Sequence, residues 1–159
     1  MGDPDGGGNG PWNGHVLIVT LNVTLETIER RFPSRIEAVN EAAAAVAEFM
    51  NRLGIGEDIA FGVDMAVREA VTNAVIHGNK FDSAKQVELK LRNTPDVFEI
   101  SVHDQGSGFN PNEVPDPTKD ENILKTSGRG IFFMRNFMDA VDWSMNPKGG
   151  TSVRMIKKI

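Results

Sequence analysis

The sequence predicts a single α+β domain, a two-layer sandwich with helices on one face of a mixed, mostly antiparallel sheet. Three observations predict it. Two pairs of alternating apolar segments are joined by short turns, and tight turns join antiparallel strands, which excludes an all-parallel sheet. Three helical segments each carry one apolar face, as helices do when they cover one side of a sheet. The order is strand, helix, helix, hairpin, long polar stretch, helix, hairpin, with no internal repeat.

Taken in order, the first 14 residues, MGDPDGGGNGPWNG, hold six of the 16 glycines and have almost nothing to bury. A disordered tail is expected there, with the folded domain at residues 15–159. His15 to Leu25 is rich in Val, Leu, Ile and Thr and reads as a strand. Ser34-Arg35-Ile36-Glu37 has the form of a capping box. Ile36, Val39, Ala43, Val46, Met50 and Leu53 then recur at steps of three and four, and Gly54 supplies a stop. A second helix runs from Glu57 to about His77, ended by Gly78 and Asn79. Gln86–Asn93 and Val97–His103 alternate around Thr94-Pro95-Asp96, a hairpin. Asn110 to Ser127 is polar, with Pro111, Pro115 and Pro117, and has no periodicity. A third helix spans about Ile131 to Met138. Val141–Met145 and Thr151–Ile156 form a second hairpin.

Composition narrows the function. The chain has 159 residues, 40% of them apolar, enough to bury a core at a length typical of one domain. With no cysteine, disulfide scaffolds, thiolate nucleophiles and cysteine-ligated metal sites are excluded. Nothing approaches the ~18 consecutive apolar residues of a membrane span, and the N-terminus lacks a secretory signal pattern. A cytoplasmic domain without membrane contact is expected. The net charge of −5 argues against direct binding to nucleic acid.

Four segments could carry chemistry. Glu69, Asn73 and His77 fall at i, i+4 and i+8 of the second helix, a polar stripe along the edge of its apolar face. The stripe suits a cleft, but taken alone it is more commonly an ordinary solvated flank. Asp104-Gln105-Gly106-Ser107-Gly108-Phe109 leaves a strand directly. Its glycines permit close backbone approach, and its carboxylate can accept from an exocyclic amine such as that of adenine. An ordinary turn explains the same residues. Ser127-Gly128-Arg129-Gly130-Ile131 opens a helix, where free backbone N–H groups bind phosphate. A hinge that ends a loop is the plain alternative. Gly149-Gly150-Thr151 enters the last strand as a glycine-rich turn. Neither a Walker sequence nor a dinucleotide-binding fingerprint occurs.

Together, in this order, these boxes resemble the ATP-binding domain shared by gyrase, Hsp90, histidine kinases and MutL. Within it, the sequence is most similar to the bacterial anti-sigma-factor serine/threonine kinases of the RsbW and SpoIIAB type. The resemblance rests on Glu69-Ala70-Val71-Thr72-Asn73-Ala74-Val75-Ile76-His77-Gly78, on Asp104 to Phe109, and on Gly128-Arg129-Gly130-Ile131-Phe132-Phe133-Met134. It continues through Arg135-Asn136-Phe137-Met138-Asp139 and covers about His15 to Ile159. The glycine-rich tail and a segment rich in proline and acid depart from it.

The resemblance implies the Bergerat ATP-binding fold and a set of roles. Glu69 would be the general base, and Asn73 would bind Mg²⁺ beside the triphosphate of ATP. Asp104 would hold the adenine amine, with Gly106 and Gly108 shaping the pocket. Gly128, Arg129 and Gly130 would lie beside the phosphates, Thr151 near the adenine, and Asn110 to Ser127 would form a lid. The implied activity is a serine kinase that binds a sigma factor and phosphorylates a small anti-anti-sigma antagonist of the STAS type; a homodimer is also implied. Two other expectations stay open: a detached histidine-kinase-type catalytic domain, and an ATP-dependent binding module without useful turnover.

Overall fold

The computed structural model describes residues 25–106, 129–147 and 149–159. Among the described residues, five strands form one sheet: β1 (Thr27–Pro33), β2 (Gln86–Asn93), β3 (Val97–His103), β4 (Ala140–Met145) and β5 (Thr151–Lys158). Their spatial order is β1-β2-β3-β5-β4, and every neighbouring pair among the described residues is antiparallel. Both expected hairpins are present, as β2–β3 and β4–β5. The helices are α1 (Glu37–Arg52), α2 (Glu57–Asn73) and α3 (Arg129–Phe137).

Period-two alternation explains the layers. Val87, Leu89 and Leu91 of β2 and Phe98, Ile100 and Val102 of β3 are buried, and Val153 and Met155 continue that face on β5. They meet Ala42, Val46 and Phe49 of α1 and Val63, Val67, Ala70 and Val71 of α2 in one core, which Met134 of α3 joins. Phe49 stacks on Phe98 with ring centroids 5.5 Å apart. Each fully buried Val, Leu or Phe side chain contributes about 1.5–3 kcal/mol of hydrophobic stabilisation. The alternate residues stay on the open face, where Arg31–Glu88 (3.0 Å), Lys90–Glu29 (3.5 Å) and Arg154–Glu99 (3.0 Å) pair across strands. Helices therefore cover one face only. Gly62 sets the close approach of α3 to α2, since a Cβ there would stand 3.2 Å from the Phe137 ring.

Two local expectations change, and one more falls on residues that the structure does not describe. The strand expected at His15–Leu25 lies outside the described residues except for Leu25, as does the tail 1–14. The strand that pairs with β2 is Thr27–Pro33, in register from Thr27↔Arg92 to Pro33↔Gln86. It is an edge strand: only Ile28 and Phe32 are half-buried, and the charges between them mask its alternation.

The capping box does not form. Ser34 N–H donates to Lys85 O at 3.0 Å, which keeps Ser34 on the end of the β1–β2 pairing. The N-cap of α1 falls two residues later, at Ile36, without a side-chain cap, and Ile36 is 54% exposed. Gly54, at φ 69°, ends α1 as expected.

The second helix does not stay α-helical to His77. It widens after Asn73 into a π-helical turn, Ala74–Gly78, in which Asn79 N–H reaches back five residues to Ala74 O at 2.8 Å. No sequence pattern announces that change of period.

Candidate functional site

The π turn, the end of β3 and the start of β5 converge on Asp104. The Asp104 side chain is only 7% exposed. Its Oδ1 accepts from Gly106 N–H and from Thr151 N–H, both at 3.0 Å, while Asp104 N–H donates to Thr151 O at 3.0 Å. Among the described residues its Oδ2 takes no hydrogen bond, so one oxygen is fixed and the other is left for an incoming donor.

Backbone closes around this carboxylate because side chains are missing. A Cβ at Gly78 would overlap the Asp104 carboxylate, one at Gly106 would overlap Gly78 O, and one at Gly150 would overlap Asp104 O. Glycine at these positions lets the π turn, the Asp104 loop and the β4–β5 turn touch.

Asn79 holds the same junction. It is 1% exposed, its Oδ1 accepts from Gln105 N–H at 2.8 Å, and its Nδ2 donates to Gln86 O at 3.0 Å. The sequence marked Asn79 only as a helix stop. Its partners lie 7 and 26 residues away, beyond the reach of local pattern.

Beside the carboxylate is a small cavity. Its polar lining is Asn73, Asp104 and Thr151, and its walls are Ala70, Ala74, Val102, Val153 and Trp143. Three residues singled out from sequence thus share one space. Trp143 was missed, although alternation with Val141 already pointed it toward the helix side. The Arg135 guanidinium of α3 lies 5.2 Å from the Trp143 ring centroid, a cation–π contact.

Glu69 sits one turn before Asn73 on α2. A Cβ at Gly130 would overlap its carboxylate, so the backbone of the first turn of α3 lies against Glu69. Burial raises the Glu69 pKa above its ordinary value. Among the described residues, no hydrogen bond or cation offsets that desolvation. The group is therefore a stronger base, when ionised, than an exposed carboxylate. Arg129 is the first residue of α3 and Gly130 the second. Gly108, Gly128 and the expected lid, Asn110 to Ser127, lie outside the described residues.

The donor set fits a magnesium–nucleotide complex. The second oxygen of Asp104 suits an amine donor, the amide oxygen of Asn73 suits a hard cation, and the apolar walls suit a flat base, for which the cavity of about 20 Å³ must widen. The opening turn of α3 presents backbone N–H groups of the kind that bind phosphate. Among the described residues, no helix is long and apolar enough to cross a membrane.

The chain is similar to known proteins over most of its length. Residues 32–157 match the family described as Histidine kinase-like ATPase domain. The Anti-sigma F factor of Oceanobacillus iheyensis is 36% identical over 126 residues, 76% of this chain and 85% of that protein. The Anti-sigma F factor of Bacillus subtilis is 34% identical over 122 residues, 74% of this chain and 82% of that protein. That of Clostridium perfringens is 33% identical over 132 residues, 80% and 93% respectively.

Proposed function

The chain belongs to the histidine kinase-like ATPase domain family, and from that premise we propose that it is an ATP-dependent protein serine kinase that also acts as an anti-sigma factor. In this reading it holds a sigma factor or a small STAS-type antagonist, and phosphorylation of the antagonist decides which. The observation that carries the nucleotide reading is the single cavity bordered by Asn73, Asp104 and Thr151, with one Asp104 oxygen left without a partner among the described residues. The partner reading is supported by relatives named anti-sigma F factors that match over most of their length.

Mg·ATP, when bound, supplies the phosphoryl group and the charge neutralisation that a loose transition state requires. The residues of the chain do the rest. Asp104 accepts from the amine edge of the base, and the backbone N–H groups of Gly106 and Thr151 keep that carboxylate oriented. Asn73 offers its amide oxygen to the metal. Glu69, raised in pKa by burial, takes the proton from the attacking serine hydroxyl. Gly130 admits the start of α3 close to Glu69, so that its N–H groups and the base face one reaction space.

The test is transfer from labelled ATP to a STAS-type partner. Acid-stable phosphoserine on the partner is the expected product. Acid-labile phosphohistidine would move the chain to the histidine-kinase class, and nucleotide binding without transfer would make it a switchable binding module.

A further inference from the structure

Asp104 can recognise one edge of a base, but a carboxylate offers no surface for its face. The aliphatic walls of the cavity are short: Ala70, Ala74, Val102 and Val153. Among the described residues that line it, Trp143 is the one aromatic group. It stands on β4 between exposed Asp142 and Ser144, opposite Val153 of β5, and is partly buried against the core. The Arg135 guanidinium over its ring restricts the indole from the α3 side. A large planar ring, fixed by a cation, thus borders the cavity beside a hydrogen-bonding carboxylate, and a base that widened this cavity would meet the ring.

We propose that Trp143, held by Arg135, is the stacking surface for the base, and that it supplies much of the affinity that separates a nucleotide from a bare polyphosphate. The proposal rests on the nucleotide reading of the cavity and adds to it. Asp104 selects the base by its amine, and Trp143 holds the base by its face. Aromatic–base stacking is tolerant of base identity, because every base has a π-face, so the two residues divide selectivity and strength between them.

The chain has two tryptophans, so Trp12→Phe leaves Trp143 as the sole indole emitter. In that full-length variant, Mg·ATP is expected to quench the emission along the same isotherm that calorimetry gives, and magnesium tripolyphosphate is expected to leave it unchanged. Trp143→Ala should bind Mg·ATP about tenfold or more weakly, the usual worth of one stacked base. Trp143→Phe should stay within about threefold of wild type, and both variants should bind tripolyphosphate as wild type does. Calorimetrically bound ATP that leaves the indole emission unchanged overturns the proposal. Equal losses of ATP and tripolyphosphate binding in Trp143→Ala also overturn it, because they mark a structural role. A wild-type chain that binds no ATP overturns the nucleotide reading and this proposal with it.

Discussion

The open face of the sheet and the cleft where α2, α3, β3 and β5 meet treat charge in opposite ways. On the open face, Glu99 lies 3.0 Å from Arg154, and that hydrogen bond, with the positive charges of Arg154, Arg92 and Lys90, holds its pKa below the ordinary value. In the cleft, no cation among the described residues pairs with Glu69, and burial pushes its pKa the other way. Asp104 is held by backbone N–H groups instead of by an ion. The contrast separates two uses of one residue type. A carboxylate paired with a neighbour has spent its interaction, while one held by backbone, or by nothing, keeps capacity for a ligand or a proton.

Replacing Glu69 tests the contrast most severely. Glu69→Gln should lower single-turnover transfer to serine by about 10²–10⁴-fold while Mg·ATP still binds. Wild-type transfer by that variant would break the comparison, because the buried carboxylate would then have no chemical use. Asp104→Asn comes next, since an amide turned the wrong way presents a donor to the amine. Its ATP affinity should fall by about 10–100-fold in calorimetry, the worth of a hydrogen bond to a charged group. Asn79→Ala removes two part-buried hydrogen bonds and strands the Gln105 N–H. Denaturant unfolding should show a loss of about 1–3 kcal/mol, with the Asp104 loop loosened first.

The smallest effect is the most diagnostic. Glu99, lowered in the fold, contributes stability above the unfolded carboxylate pKa, and that contribution is lost as pH falls through its folded value. Glu69, raised in the fold, has the reverse sign: its folded form favours the proton, so stability falls as pH rises through its folded value. Glu99→Gln should therefore destabilise at neutral pH, by about 0.2–1 kcal/mol for a pair half open to solvent. Glu69→Gln should be neutral or slightly stabilising there, and the two difference curves should slope in opposite directions across the acid range. Parallel slopes in thermal or denaturant melts would erase the distinction.

Much of this arrangement was legible in the sequence, for physical reasons that differ by element. Val87, Leu89 and Leu91 alternate in an interior strand with a fully buried face, so period two is visible. Edge strand β1 buries only half of two side chains, and its charges hide it. Glu69 and Asn73 were legible as a stripe at helical spacing, and Asp104 as an acid amid glycines. Asn79 was not, because what defines it is the meeting of residues 86 and 105. The Ser34 box misled for a related reason: local capping lost to strand pairing through Lys85. Trp143 was legible by alternation alone, once β4 was placed.

The π turn at Ala74–Gly78 also bears on how this segment tolerates length changes. Relative to a regular helix it carries one residue more, and at about 100° per residue that surplus resets the angular phase of everything after it. Gly78 and Asn79 reach Asp104, Gln86 and Gln105 only in the shifted phase. Trimming one residue between 74 and 78 would improve the helix as a helix and turn both side-chain positions away from their partners. A change that idealises local geometry would here unlatch the junction, and compensating it would require a residue returned to the same turn rather than anywhere else in α2.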